Sequence, residues 1–202
     1  MTHMSVAMEK NIGIVLKSYQ PQKLKLAILD RDSGKIMAVP NRADISNGAL
    51  IMYFKREQEH ISFIHSIDIV DMPLALAHED IVFVHHVLEL CYYFIPLGSH
   101  ASQVFIVLLR FYEYPIVLST PVMKKIFLVQ LFFLLGVYPE AQRLRSASIN
   151  QLISTSIDIW ASQSIDLRIE QELDEWLMHC VKTHPRAEYF KTINFLLMNK
   201  AL

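Results

Sequence analysis

Apolar residues alternate with polar ones through residues 11–70, beginning Ile12-Gly13-Ile14-Val15-Leu16-Lys17. From Asp80 to the C-terminus they recur instead at helical spacing. A two-residue period buries one face of a strand, and a 3.6-residue period buries one stripe of a helix. A chain that changes period once therefore divides into a strand-rich part followed by a helical part.

Five strand-like runs precede residue 70. They are Asn11–Tyr19, Lys23–Asp30, Lys35–Val39, Ala49–Lys55 and His60–Asp68. In the second, Leu24, Leu26 and Ile28 share one parity and Lys23 and Lys25 the other. Asp30-Arg31-Asp32-Ser33-Gly34 has turn composition, with Gly34 free to take positive φ. Pro40–Gly48 is a polar loop, and Arg56–Glu59 is a polar turn between the last two runs. Short antiparallel strands must hide their edges, and closing into a small barrel does so. The strand count favours an OB-type barrel; counting alone does not separate it from an SH3-like one.

Met72-Pro73 marks the boundary between the two parts. Asp80 is a candidate cap for a helix whose buried stripe includes Ile81, Val84, Leu88 and Cys91. Val104–Tyr112 reads as a second helix. Thr120-Pro121 opens a third, with Thr as N-cap and Pro at the first helical position; it runs to Leu135 with Gly136 at its end. Ile169, Leu173, Trp176, Leu177, Cys180 and Val181 keep helical spacing up to Pro185, and a last helix carries Tyr189, Phe190, Ile193 and Leu197. Ser146–Ser164 is serine-rich.

Hydrophobic residues make up 52% of the 202 and charged ones 19%, which is ample for a core and too apolar for disorder. The net charge is −1. Residues 1–70 hold nine Lys/Arg against seven Asp/Glu, and the remainder ten against thirteen, so any nucleic-acid surface must be local. Cys91 and Cys180 sit in apolar helical patterns, and the N-terminus lacks a signal-peptide core; both fit a cytoplasmic setting. Leu90–Leu109 contains no charged residue, but Pro96, Gly98, Ser99, His100, Ser102 and Gln103 interrupt it. Ile126–Pro139 is short for a span of roughly 20 apolar residues. Two buried helices joined by a turn explain Leu90–Leu109 without a membrane.

Several segments resemble the RecO family of bacterial recombination mediator proteins. Gly13-Ile14-Val15-Leu16-Lys17 looks like that family's opening strand, and Gly34-Lys35-Ile36 like the turn into its third. Leu88-Glu89-Leu90, within Asp80–Gly98, is similar to its first helix after the barrel. Phe132-Phe133-Leu134-Leu135-Gly136-Val137-Tyr138-Pro139 looks like its helix ending in glycine, aromatic and proline. Lys191-Thr192-Ile193-Asn194-Phe195-Leu196 is similar to its closing helix. The resemblance implies an OB domain on a helical domain and no catalysis. It also implies binding of single- and double-stranded DNA, strand annealing, and engagement of RecR and of the acidic tail of single-strand DNA-binding protein. The chain departs from the family twice. Glu140–Leu152 has no cysteine where many members bind zinc, so no metal or other cofactor is expected. Pro40-Asn41-Arg42-Ala43-Asp44 is less basic than the family's segment after the third strand.

Single-strand binding needs cations along the phosphates and aromatic faces for the bases. Lys17, Tyr19, Lys23, Lys25, Arg31, Lys35, Arg42, Tyr53, Lys55 and Arg56 supply both within the barrel sequence. The plainer account is that Lys23 and Lys25 are a solvated strand face and Tyr53 is core. Arg110, Lys124 and Lys125 lie near apolar helices, where they would rim a pocket for an acidic tail or simply edge core helices. His85 and His86 point about 100° apart on a helix and do not share an ion readily. His179, Cys180 and His184 match no metal spacing. Five glycines leave little for a phosphate-cradling loop, no G-x-S-x-G occurs, and Glu170–Glu175 reads as a solvated helix face rather than an acid/base pair.

The expectation is therefore an α+β protein with an OB-like barrel over residues 8–72 and a helical domain over 78–202. Its expected role is a non-enzymatic recombination mediator in DNA repair, cytoplasmic and nucleoid-associated. The alternative is a protein-interaction scaffold of the same architecture with little DNA affinity.

Overall fold

The computed structural model describes residues 10–19, 23–58, 61–113, 118, 120–137, 147–154 and 167–191. The five strands are β1 (Asn11–Ser18), β2 (Leu26–Asp30), β3 (Gly34–Pro40), β4 (Leu50–Gln58) and β5 (Ile61–Asp71). They form a closed barrel in the order β1-β2-β3-β5-β4, with β3 and β5 parallel and the other pairs antiparallel. The barrel is OB-like, as the strand count favoured. Helices follow, so the α+β class holds.

Contacts divide the chain into two units. One comprises Met1–Met72 with Pro96–Phe105; the other comprises Pro73–Ile95 with Ile106–Leu202.

Alternation fills the barrel. Val15, Leu26, Ile28, Ile36, Ala38, Ile51, Tyr53 and Ile64 point inward, and Ile45 from the β3–β4 loop joins them. That loop is thus polar along its length but carries one apolar anchor. Three irregularities coil the wall: one between Val15 and Lys17, one between Leu50 and Ile51, and one where Ser66, at φ 50°, lets β5 bend past Tyr53. β2 starts at Leu26 rather than Lys23. Lys23 N–H donates to Tyr19 O, and Leu24 is left exposed. β4 runs through the expected turn as far as Gln58, and residues 59 and 60 lie outside the described set.

The β2–β3 turn is built on Asp30. Its Oδ1 accepts the Asp32 and Ser33 N–H groups at 3.0 and 2.6 Å, and its Oδ2 accepts the Tyr53 hydroxyl at 2.5 Å. A buried carboxylate satisfied this way is tolerated; an unpaired one is not. Gly34 closes the turn at φ 74°. Beyond it the Pro96–His100 segment bonds to β3, with Lys35 N–H donating to Ser99 O and Gly98 N–H to Lys35 O.

In the second unit, α1 (Leu74–Phe94) begins earlier than Asp80, but Asp80 interrupts it at φ −152° and caps its second segment by accepting the Phe83 N–H. Val84, Leu88 and Cys91 are buried as expected, whereas Ile81 is exposed because the break turns it to solvent. The further helices are α2 (Ser102–Glu113), which crosses the division of the units, α3 (Pro121–Leu134), α4 (Ala147–Ser154) and α5 (Leu167–Lys182). Thr120 caps α3, and its far end closes with Gly136 N–H on Phe133 O and Val137 N–H on Phe132 O. α3 is buried nearly all round and packs on α4 and α5. Phe94, Phe132, Trp176, His184 and Phe190 interlock edge-on or tilted, joining α1, α3, α5 and the turn after α5. Of the expected last helix, Ala187–Tyr189 form one short turn, with Tyr189 exposed and Phe190 buried; Ile193 and Leu197 lie outside the described residues. The serine-rich stretch is described only over α4. Among the described residues, no helix is long and apolar enough to cross a membrane.

His86 is buried in α1, and burial pushes its pKa down to about 4, with Asp80 opposing the shift and His85 and Lys191 adding to it. Its folded value lies below the unfolded one, so the neutral ring stabilises the fold above pH ~6.5. That stability is lost as the pH falls towards 4. Unfolding free energies from urea titrations followed by Trp fluorescence should drop across this window, by about 3 kcal/mol at pH ~4, and His86→Gln should flatten the drop.

Candidate nucleic-acid interface

One row of side chains crosses the outer wall of the barrel. Val39 pairs with Phe63, and Phe63 with Arg56, so all three point away from the core on β3, β5 and β4. Lys25 directly precedes Leu26, the partner of Ala38, and so lies just outside the start of β2. Phe63 is 38% exposed, and Lys25 and Arg56 are exposed. Two residues along, Phe54 pairs with His65; their rings stack at 5.7 Å and 25°, and Lys10 Nζ lies 5.7 Å from the Phe54 ring. Cations thus alternate with aromatic faces on one side of the barrel.

Lys23, Lys25 and Arg56 make no ion pair with any described residue. Four other barrel cations are matched by acids: Lys10 by Asp68 at 2.7 Å, Arg31 by Asp32 at 3.1 Å, Arg42 by Asp44 at 2.7 Å and Lys55 by Glu57 at 3.3 Å. The Arg42 guanidinium holds the Asp44 carboxyl below its usual range. Such exposed pairs add little stability, but they cancel charge that phosphates would otherwise meet.

The geometry sorts the expected DNA contacts. Lys17, Tyr19, Lys23 and Lys25 gather at the β1–β2 loop, with Lys17 Nζ 5.3 Å from the Tyr19 ring and Tyr19 N–H bonded to Lys25 O. Arg56 stands in the row just described. Arg31 and Arg42 are exposed in the β2–β3 turn and the β3–β4 loop, each beside its own aspartate. Lys55 leans back to donate to Ser33 Oγ at 2.9 Å.

Two expected contacts are corrected. Tyr53 has inward parity, is fully buried and spends its hydroxyl on Asp30, so no base stacks on it. Burial and the adjacent Asp30 push its pKa well above the ordinary tyrosine value. Lys35 is 9% exposed, in the part of β3 that the Ser99 segment bonds to.

The expected pocket rim on the helices is corrected as well. Lys124 Nζ is bonded to Asp80 Oδ2 at 2.6 Å; Lys125, 1% exposed, is bonded to Glu170 at 2.8 Å and ion-paired with Asp174 at 2.9 Å. Both lysines knit helices together rather than rim a pocket; Arg110 on α2 is half-buried.

Sequence reasoning passed over Lys10, Phe54, Phe63 and His65. The signal was present. Met52, Phe54 and Arg56 share one parity, as do Ile61, Phe63 and His65, but a turn assigned at Arg56–Glu59 broke the first series. Among the described residues no group of metal-ligating side chains converges. Cys180 is buried, which pushes its thiol up to about 12 and keeps it protonated at neutral pH.

No family model matches the chain, and no curated protein matches it.

Proposed function

We propose that this protein is a non-enzymatic recombination mediator in DNA repair, resembling RecO, which holds DNA on the outer wall of its barrel and acts at the nucleoid. The observation that carries this reading is the row Val39–Phe63–Arg56 with Lys25 just before β2, its two cations making no ion pair with any described residue. Phosphate contact by Lys23, Lys25 and Arg56 gives binding that is weak and salt-sensitive. Recruitment of a RecR-like protein, and of the acidic tail of single-strand DNA-binding protein, is part of the same proposal. It rests on the family resemblance, with Arg110 the one cation of the expected rim that makes no ion pair with a described residue.

Fluorescence anisotropy of a labelled oligonucleotide tests the DNA part. Neutralising three phosphates gives a log–log salt slope of about −2, or roughly fifteenfold weaker binding between about 50 and 200 mM salt. The double variant Lys25→Gln/Arg56→Gln should weaken binding and bring the slope to about −1 or less. The acid-matched barrel cations favour the alternative, a scaffold without useful DNA affinity. Absence of binding by the wild type at the lowest salt would select it.

A further inference from the structure

We infer that Phe63 and the Phe54–His65 pair make this wall selective for an unpaired strand over a duplex, an inference that rests on the DNA-binding reading above. The two aromatic rows are two residues apart along β4 and β5, which is about 7 Å. Successive bases in a stacked strand rise by about 3.4 Å. Bases lying on both rows are therefore separated from each other, which an extended single strand allows and a duplex forbids. A duplex hides its base faces and offers this wall only phosphates, for which Lys25 and Arg56, making no ion pair with any described residue, are the cations. An unpaired strand gains the ring contacts in addition, and such stacking tolerates any sequence because every base has a π-face. Lys10, tied to Asp68, lies over the Phe54 ring, which is itself stacked on His65.

The test is a titration of the full chain with one labelled oligonucleotide, either unpaired or annealed to its complement, at a single low salt concentration. The wild type should bind the unpaired strand at least about tenfold more tightly. Phe63→Leu should lose about tenfold on the unpaired strand and almost nothing on the duplex. Arg56→Gln should weaken both alike. His65→Leu repeats the test at the second platform, and an unchanged urea midpoint certifies each fold. Equal affinity for the two forms, or equal losses on both in Phe63→Leu and His65→Leu, would overturn the selectivity while leaving DNA binding intact. Failure of the wild type to bind either form would overturn the functional reading together with it.

Discussion

Gly34→Ala is expected to destabilise the barrel by about 3–4 kcal/mol, against about 1–2 kcal/mol for Gly98→Ala. Both glycines have positive φ, 74° and 75°. Left-handed backbone alone costs an alanine about 1–2 kcal/mol. A Cβ on Gly98 meets open space, whereas one on Gly34 would sit 1.9 Å from the Ser99 carbonyl oxygen. That carbonyl belongs to backbone, so the Pro96–His100 segment must withdraw and take two backbone hydrogen bonds to Lys35 with it. Each is worth about 1 kcal/mol. Urea unfolding of the two variants separates the contributions: similar midpoints would mean that the segment does not seal β3.

Lys125→Met should cost the helical unit about 3–5 kcal/mol, nearer the lower figure because the Glu170 side chain is 28% exposed. The loss comes from stranding Glu170 and Asp174 rather than from the attraction itself. The triple variant Lys125→Met/Glu170→Gln/Asp174→Leu should therefore recover most of it. Burial pushes the Lys125 pKa down, but the hydrogen bonds and charges of Glu170 and Asp174 outweigh it and leave the value raised. The contribution is thus complete below the ordinary lysine pKa and fades as the pH climbs through the raised one. Denaturation midpoints of the wild type and both variants between neutral and strongly alkaline pH check magnitude and sign together. A triple variant no more stable than the single one would contradict the desolvation argument.

Much of the architecture was legible because local and tertiary preferences agree. The β1–β2–β3 alternation, the Asp30–Gly34 turn and the Thr120-Pro121 start each carry their structure within a few residues. Strand and helix ends were less legible because they depend on partners far along the chain. β4 extends to Gln58 because β5 pairs with it that far, and α1 begins before Asp80 because the break there interrupts the helix without ending it. The interface was only half legible. Residue type marked Lys23, Lys25 and Arg56, but which aromatic faces outward is a matter of parity, and parity follows register. Tyr53 and Phe54 are neighbours with opposite fates: one satisfies Asp30 inside the barrel, and the other stacks on His65 outside it. Lys124 and Lys125 show the same limit, since their acids come from Asp80 in α1 and from α5.

The most direct test of the account is to map backbone amide shifts by NMR as an unlabelled single-stranded oligonucleotide is added to the full chain. Perturbations should concentrate at residues 23–25, 54–56 and 63–65 and fade as salt is raised. Shifts confined to α1–α5, or scattered round the barrel with the Phe63 row silent, would contradict it.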